Sequence, residues 1–230
     1  FKTKTLQASG VMTLKIDSYV YLTGTLIFKK GAPVTVGLSN SSKQQVSLMT
    51  IGASGINGFV GTGFTGFLAA DGQGVKKPNA EAMGLYLSDV AFGLALMNGT
   101  GANASYYGLQ AKASSAGFQG VTGITLKATD LKVEVNGSGG TAVVNFKQTD
   151  WNGDGNTNEG QLHIDNGTAA GFKLAFDKRL LQASGKVELE VQSVTMKGNF
   201  SFAQSENKAG AKTTVLALTN IYIAAFSGTG

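Results

Sequence analysis

The hydrophobic residues of this chain recur with a period of two. Residues 186–191 and 131–135 alternate polar and apolar positions without interruption, and Met12, Leu14 and Ile16 alternate with polar neighbours. In an extended chain, such alternation puts one face of a strand in the core and the other in water. No segment carries a strong helical period. The sequence therefore predicts an all-β protein.

A second pattern joins two short strands through one small or polar residue. It occurs in the segments LQASG–VMTLKI, MTIGASG–INGFVG, LYLSD–VAFGLALM, LQAKASS–AGFQGV, LKATD–LKVEVN and LALTN–IYIAAFSG. The Ser, Asp, Gly and Asn residues at these joints tolerate turns and left-handed backbone. Their recurrence favours stacked rungs, as in an elongated β-solenoid or stacked β-roll-like repeat. The alternative is antiparallel β-sandwich repeats joined by hairpins, which the turn dipeptides Asn98-Gly99, Asn136-Gly137, Gly139-Gly140 and Asn166-Gly167 favour.

The chain also repeats itself on a larger scale. Residues 6–10 and 181–185 both read LQASG, the likeness continues to residues 28 and 202, and FVGTG at 59–63 matches FSGTG at 226–230. We therefore expect a first repeat unit at 1–175 and the start of a second, truncated copy at 176–230, cut from a longer tandem array. Such arrays serve length, reach or adhesion, so the expected partners are neighbouring copies of the repeat or self-assembly into a filament.

Composition excludes several classes of function. The chain has no cysteine and therefore no disulfide or thiolate chemistry. The formal net charge is +5, but Arg179 is the only arginine and the lysines are scattered, so nucleic-acid binding is not expected. No run of about 18 apolar residues is present, so no transmembrane segment is expected.

The clearest chemical motif is D-x-N-x-D-G at Asp150–Gly155, the first half of a calcium-binding loop. Oxygen ligands at alternate positions converge on a hard cation, and the glycine permits the sharp turn. At the last ligand position Gln161-Leu162 replaces the usual glutamate, so either Glu159 or Asp165 would have to close the shell. The predicted Ca²⁺ ligands are Asp150, Asn152, Asp154, Asn156, Asn158 and Glu159.

The chain lacks the residues of a common catalytic site, so we expect it not to be an enzyme. His163 is the only histidine and lies between Leu162 and Ile164, as an exposed strand residue would. Glu188 and Glu190 lie on one strand face and are expected to be solvated rather than paired for glycoside hydrolysis.

Two non-catalytic alternatives to a structural repeat stay open. A carbohydrate- or surface-binding β-module would stack surface glycans on Trp151, Tyr106 and Tyr107. An open β-roll that carries lipid is suggested by segments of the form ASGxVxL…GxFxF, and it requires an apolar lumen open to ligand.

Three runs of the sequence resemble the tandem repeats of giant bacterial cell-surface, adhesin-like proteins: 84–98, 106–137 and 181–202. In the same order as in those repeats, a Phe-Val-Gly element at 59–61 is followed by Asp71-Gly72 and by FGLAL at 92–96. The resemblance implies an extracellular or cell-surface location and a structural or adhesive role, as a fibre or adhesin segment. The calcium loop at Asp150–Glu159 is expected to stiffen a junction of that segment.

Overall fold

The computed structural model describes residues 6–68, 76–101, 104–206 and 211–225. Asp71-Gly72 and the predicted repeat match at 226–230 lie outside these residues. The described strands are β1 (Leu6–Ile16), β2 (Val20–Lys30), β3 (Val34–Gly37), β4 (Lys43–Thr62), β5 (Met83–Gly99), β6 (Ser105–Gln119), β7 (Ile124–Ser138), β8 (Leu162–Ile164), β9 (Phe172–Leu174), β10 (Leu180–Val191), β11 (Val194–Glu206) and β12 (Lys212–Ala225). A 3-10 turn at Phe146–Gln148 is the one helical element among them. None of the described helical residues forms a span suited to crossing a membrane.

One large antiparallel sheet dominates the fold. Its strand order is β1-β2-β4-β5-β6-β7-β10-β11-β12, and β3 pairs with the first residues of β4. Strands β8 and β9 form a separate hairpin. The prediction of an all-β protein is confirmed. The stacked solenoid is not confirmed, because the described strands pair antiparallel with their neighbours. A sandwich of two large sheets is not formed by these strands either, since the second sheet has two short strands.

The small and polar joint residues of the sequence lie on one line that crosses this sheet. Gly55, Asp89, Asp130 and Asn220 have φ values of 60°, 50°, 53° and 53°, and each lies in the middle of a long strand. The pairing register shifts by one residue at this level, for example between Ala53 and Ile56. Four of the six joints are therefore β-bulges that kink continuous strands, rather than turns between separate rungs. The joints at Gly10 and Ser115 lie in strands that pair without a shift.

The bulge in β5 keeps the same face of the strand covered. In β5 the buried positions are even-numbered up to Ser88 and odd-numbered from Ala91 onward, with the left-handed Asp89 between them. Because side chains alternate along a strand, the one extra residue at the bulge changes the positions that point to the covered face from even-numbered to odd-numbered.

The two faces of the sheet differ in what packs on them. On one face, called the covered face, β3, the β8–β9 hairpin and the loop residues around Val144 and Phe146 pack over the ends of β4, β5 and β6. Its main cluster contains Val36, Leu38, Val46, Ala91, Ala95, Met97, Tyr106, Val144, Phe146, Leu162, Ile164, Phe172 and Leu174. Phe59 and Tyr86 form a second cluster on the same face with Tyr21, Phe64 and Phe67.

Glycines on the covered face let the backbone of the covering segment come close. A Cβ atom at Gly52 would lie 1.8 Å from the carbonyl oxygen of Asp165, and one at Gly93 would lie 2.6 Å from the Cβ of Phe172. The side-chain amide of Asn166 donates to the carbonyl oxygen of Ala53 at 3.3 Å, next to this contact. The β8–β9 hairpin is thus seated directly on bare backbone of β4 and β5.

The hairpins β1–β2 and β10–β11 have the same register. Ala8 pairs with Phe28 as Ala183 pairs with Phe202, and Met12 pairs with Gly24 as Val187 pairs with Gly198. β2 pairs with β4 across a bulge, and β11 pairs with β12 in the same way. The predicted unit boundary at 175/176 therefore falls within one continuous sheet, where β7 pairs directly with β10.

Candidate metal centre

The predicted calcium loop lies on the covered side, between the 3-10 turn and β8. Its second residue, Trp151, is anchored to the core: the indole N–H donates to the carbonyl oxygen of Phe146 at 2.9 Å, and the two rings stack with centroids 5.4 Å apart. Gly153 and Gly155 have φ values of 78° and 90°, which a residue with a Cβ rarely adopts. The sharp path of the loop thus follows from these two glycines and from the half-buried Trp151.

Three carboxylates of this loop converge. Oxygen atoms of Asp150, Asp154 and Glu159 all lie within 4.8 Å of one another. Two backbone N–H groups fix the first of them, since Gly153 and Gly155 donate to the two oxygens of Asp150 at 2.7 and 2.8 Å. Hydrogen bonds from the backbone of Asn156 and from the side chain of Asn152 lower the pKa of Asp154, so its carboxylate is ionised at neutral pH.

Glu159 is the member of this cluster without a partner. Both of its carboxylate oxygens are shielded from solvent, and neither accepts a hydrogen bond from the described residues. A shielded carboxylate that lacks a donor loses its hydration without compensation. Two further carboxylates beside it add repulsion between like charges. A divalent cation in the middle of the three groups would remove both penalties, and Ca²⁺ prefers this all-oxygen ligand chemistry.

The structure brings together only some of the predicted ligands. Asp150, Asp154 and Glu159 come together, and the amide oxygen of Asn152 accepts from the N–H of Asp154 at 2.9 Å. Asn156 contributes its backbone N–H to Asp154, and Asn158 is exposed. Of the two residues that could close the loop, Glu159 is the one brought into the cluster. Asp165 accepts from the N–H of Gly167 at 2.8 Å, in the turn that leads to β9.

The aromatic residues proposed for glycan stacking do not form one platform. Tyr106 is buried in the main core cluster, and Trp151 packs against Phe146. Tyr107 projects from the opposite face of the sheet, because successive side chains of a strand alternate and Tyr106 points into the core. Its ring lies over its pairing partner Gly137. The interpretation of Tyr106 as an exposed aromatic is wrong, since the strand alternation puts it in the core.

The other candidate catalytic residues have ordinary strand environments. His163 is exposed between the buried Leu162 and Ile164, as predicted. Glu188 forms an ion pair with Lys197 on the next strand, in agreement with the interpretation of a solvated face. Asn136-Gly137, predicted as a turn, lies inside β7, where the Asn136 amide donates to the carbonyl oxygens of Val144 and Lys178.

Sequence reasoning missed one buried acid, Glu134. It accepts hydrogen bonds from Gln110 and Gln182, and Lys132 lies 3.0 Å away. Burial by itself would raise the pKa of Glu134, but these partners outweigh it and the pKa is lowered. The alternation in β7 indicated only a polar face, and the two glutamine partners come from strands distant in sequence. This carboxylate is satisfied by side chains of its own strand and of the two neighbouring strands, so it serves strand association.

No model of a protein family matches the chain, and no curated protein or solved structure matches it either.

We expect Ca²⁺ to stabilise this protein through the acidic loop. Binding to the folded state alone adds about 2.7 kcal/mol at a hundredfold excess over the dissociation constant, which corresponds to a Tm rise of roughly 5–10 °C for a chain of this size. Calorimetric titration should give at least tenfold weaker binding for Glu159→Gln, because the shielded carboxylate is lost. Asp165→Asn is the matched control and should bind like the wild type. Equal affinity of all three proteins would remove Glu159 from the site.

Proposed function

We propose that this chain is a segment of an extended structural array in which one antiparallel sheet runs from repeat to repeat. The observation that supports it most directly is the shared register of the β1–β2 and β10–β11 hairpins within a single sheet. Duplicated units that folded as separate beads would each close their own sheet. Here β10 pairs with β7, the last full strand of the preceding unit.

The two outer strands of the sheet support the same proposal. β1 is the counterpart of β10 in the repeat. β10 uses one of its edges to pair with β7, and the same edge of β1 has no partner among the described residues. β12 is likewise the counterpart of β4. β4 uses one of its edges to pair with β5, and the same edge of β12 has no partner among the described residues. Edge strands of this length normally pair or carry protective features. A preceding and a following unit would supply the missing neighbours.

The acidic loop would make this array sensitive to calcium. It lies beside β3 and packs on Phe146, which belongs to the core that clamps β4, β5 and β6 together. An exposed loop that binds Ca²⁺ with low affinity suits the millimolar Ca²⁺ of the extracellular medium. We therefore propose an extracellular, cell-surface role as a fibre or adhesin segment, stiffened by Ca²⁺, without catalytic activity.

The experiment is a length series. Proteins carrying one, two, three and four copies of residues 1–175, each followed by 176–230, would be compared by small-angle X-ray scattering. β10 lies six strands beyond β1 in the sheet order, so each added copy should lengthen the particle by about 29 Å at the usual strand spacing of about 4.8 Å.

Separate beads would give a different series. A compact unit of this size has a diameter of roughly 40 Å, and flexible links between such units would broaden the distribution of distances with every copy. That result would contradict the continuous sheet. A chelator should shorten or fray the particles only if calcium stiffens the units. The continuous sheet and the calcium stiffening can therefore be contradicted independently of each other.

A further inference from the structure

The face of the sheet opposite the covered face, called the open face, is apolar from edge to edge. Residues paired directly across neighbouring strands project to the same side, so the registers define rows of side chains. One row crosses all nine strands of the main path and contains Ile16, Val20, Val60, Leu85, Phe118, Leu126, Leu189, Met196 and Ile223. A second row contains Gly10, Leu26, Ala53, Phe92, Ala111, Val133, Ala183, Phe202 and Leu216.

The equivalent rows on the covered face are polar by comparison. One of them contains Lys15, Tyr21, Phe59, Tyr86, Gly117, Lys127, Glu188, Lys197 and Tyr222. The contrast excludes a general excess of apolar residues as the explanation. The segregation of charge to one side is a property of this sheet.

None of the described elements packs on the open face. Leu85 is 56% exposed, Val60 is 54% exposed and Ile223 is 65% exposed, although all three lie within strands. Nine strands at about 4.8 Å, each offering several rows about 7 Å apart, give an apolar surface on the order of 1,000 Å². The largest apolar patch on an ordinary monomer is about 300–600 Å², and larger patches mark binding sites.

The charged residues at strand positions of this face lie at one end of the strands. They are Lys30, Lys43, Glu206 and Lys212, and Glu206 is paired with Arg179 at 3.2 Å. Lys30 and Lys43 are exposed at this end. The opposite end of the same face finishes in apolar residues such as Met83, Ile124 and Val191. The face thus has a long apolar body and one cationic end.

This distribution matches the chemistry of a lipid with an anionic head group. Acyl chains need apolar contact and no hydrogen bonds, and the rows between the two ends offer no charged side chain. Protein interfaces typically carry one hydrogen bond per 100–200 Å² and a polar rim on all sides, which these rows lack. A phosphate would find its counter-charge at Lys30, and Lys43, six residues along β4 from Met49, the pairing partner of Lys30, adds positive charge at the same end. We propose that the open face binds the acyl chains of individual anionic lipids, with the head group at the Lys30 end.

The test uses vesicles of 30% phosphatidylglycerol and 70% phosphatidylcholine. The full chain is incubated with them and re-isolated by size exclusion, and lipid phosphate is counted per protein. We expect at least one phosphate per chain in the wild type and at least a tenfold loss in the Leu85→Gln/Leu126→Gln variant. The matched control is Val11→Gln/Val215→Gln, which changes residues 78% and 55% exposed on the covered-face side. This control should carry lipid like the wild type.

The head-group part is tested with Lys30→Glu/Lys43→Glu, which should lose phosphatidylglycerol and leave the uptake from pure phosphatidylcholine vesicles unchanged. Circular dichroism melts verify that every variant is folded before the counts are compared. Recovery of the protein without lipid, whether or not it floats with vesicles, would overturn the proposal. So would a lipid-free dimer in sedimentation that Leu85→Gln/Leu126→Gln dissociates, because a second copy of the chain would then occupy the face.

Discussion

Replacing Gly52 with alanine is expected to lower the free energy of unfolding by about 3 kcal/mol. The new methyl group would lie 1.8 Å from the carbonyl oxygen of Asp165, a backbone atom that cannot rotate away. Either the β8–β9 hairpin must lift from the sheet or β4 must bend, and both changes break contacts of the main core. Urea denaturation with a linear extrapolation measures the effect.

Gly10→Ala is the control for this prediction. Gly10 also lies within a strand of the same sheet, but a Cβ there would meet nothing within 4 Å. Its free energy of unfolding should stay within about 0.5 kcal/mol of the wild type. If the two alanine variants were equally stable, the close seating of the hairpin on β4 would be wrong.

The second large effect is expected for Phe146→Ala, at about 3–5 kcal/mol. Phe146 is fully buried, stacks on Trp151 and makes an edge contact with Phe176 at 5.9 Å. Its loss would leave a cavity between the sheet and the acidic loop. Because Trp151 is the only tryptophan, its fluorescence reports directly on the loop, and the emission should shift to the red as the indole becomes hydrated.

Phe28→Ala provides the comparison on the other side of the sheet. Phe28 is 41% exposed on the open face, so its truncation leaves a smaller cavity. We expect a loss below about 1.5 kcal/mol and unchanged Trp151 emission. A Phe28→Ala loss as large as that of Phe146→Ala would mean that the open face is as well packed as the core.

The strands and the positions of four kinks could be predicted from the sequence, because both depend on local chemistry. Alternation of residues such as Lys186–Val191 needs only the pleat of a single strand. Asp89, Asp130 and Asn220 take left-handed backbone because their short polar side chains tolerate it. The Asp150 loop also follows from a local spacing, and the acidic cluster forms there.

The arrangement of the strands could not be predicted, because it depends on partners far apart in the sequence. The period-two rule assigns an apolar face to β1, β7 and β10 but gives no information on what covers it. On these strands that face is the open one, so the expectation of a core on that side is wrong for them. Asn136-Gly137 has the composition of a turn, yet the carbonyl groups of Val144 and Lys178 hold its asparagine inside a strand.

The direction of the strands sets how such an array would respond to load. In the sheet order the chain advances from β1 to β12 across the strands, so tension applied between its ends acts along the inter-strand hydrogen bonds. These bonds would break one pair at a time, from an edge inward, at low force. Each unit of 175 residues would then release roughly 600 Å of slack, at about 3.4 Å per residue. An array of this type would extend and absorb shocks well before it broke.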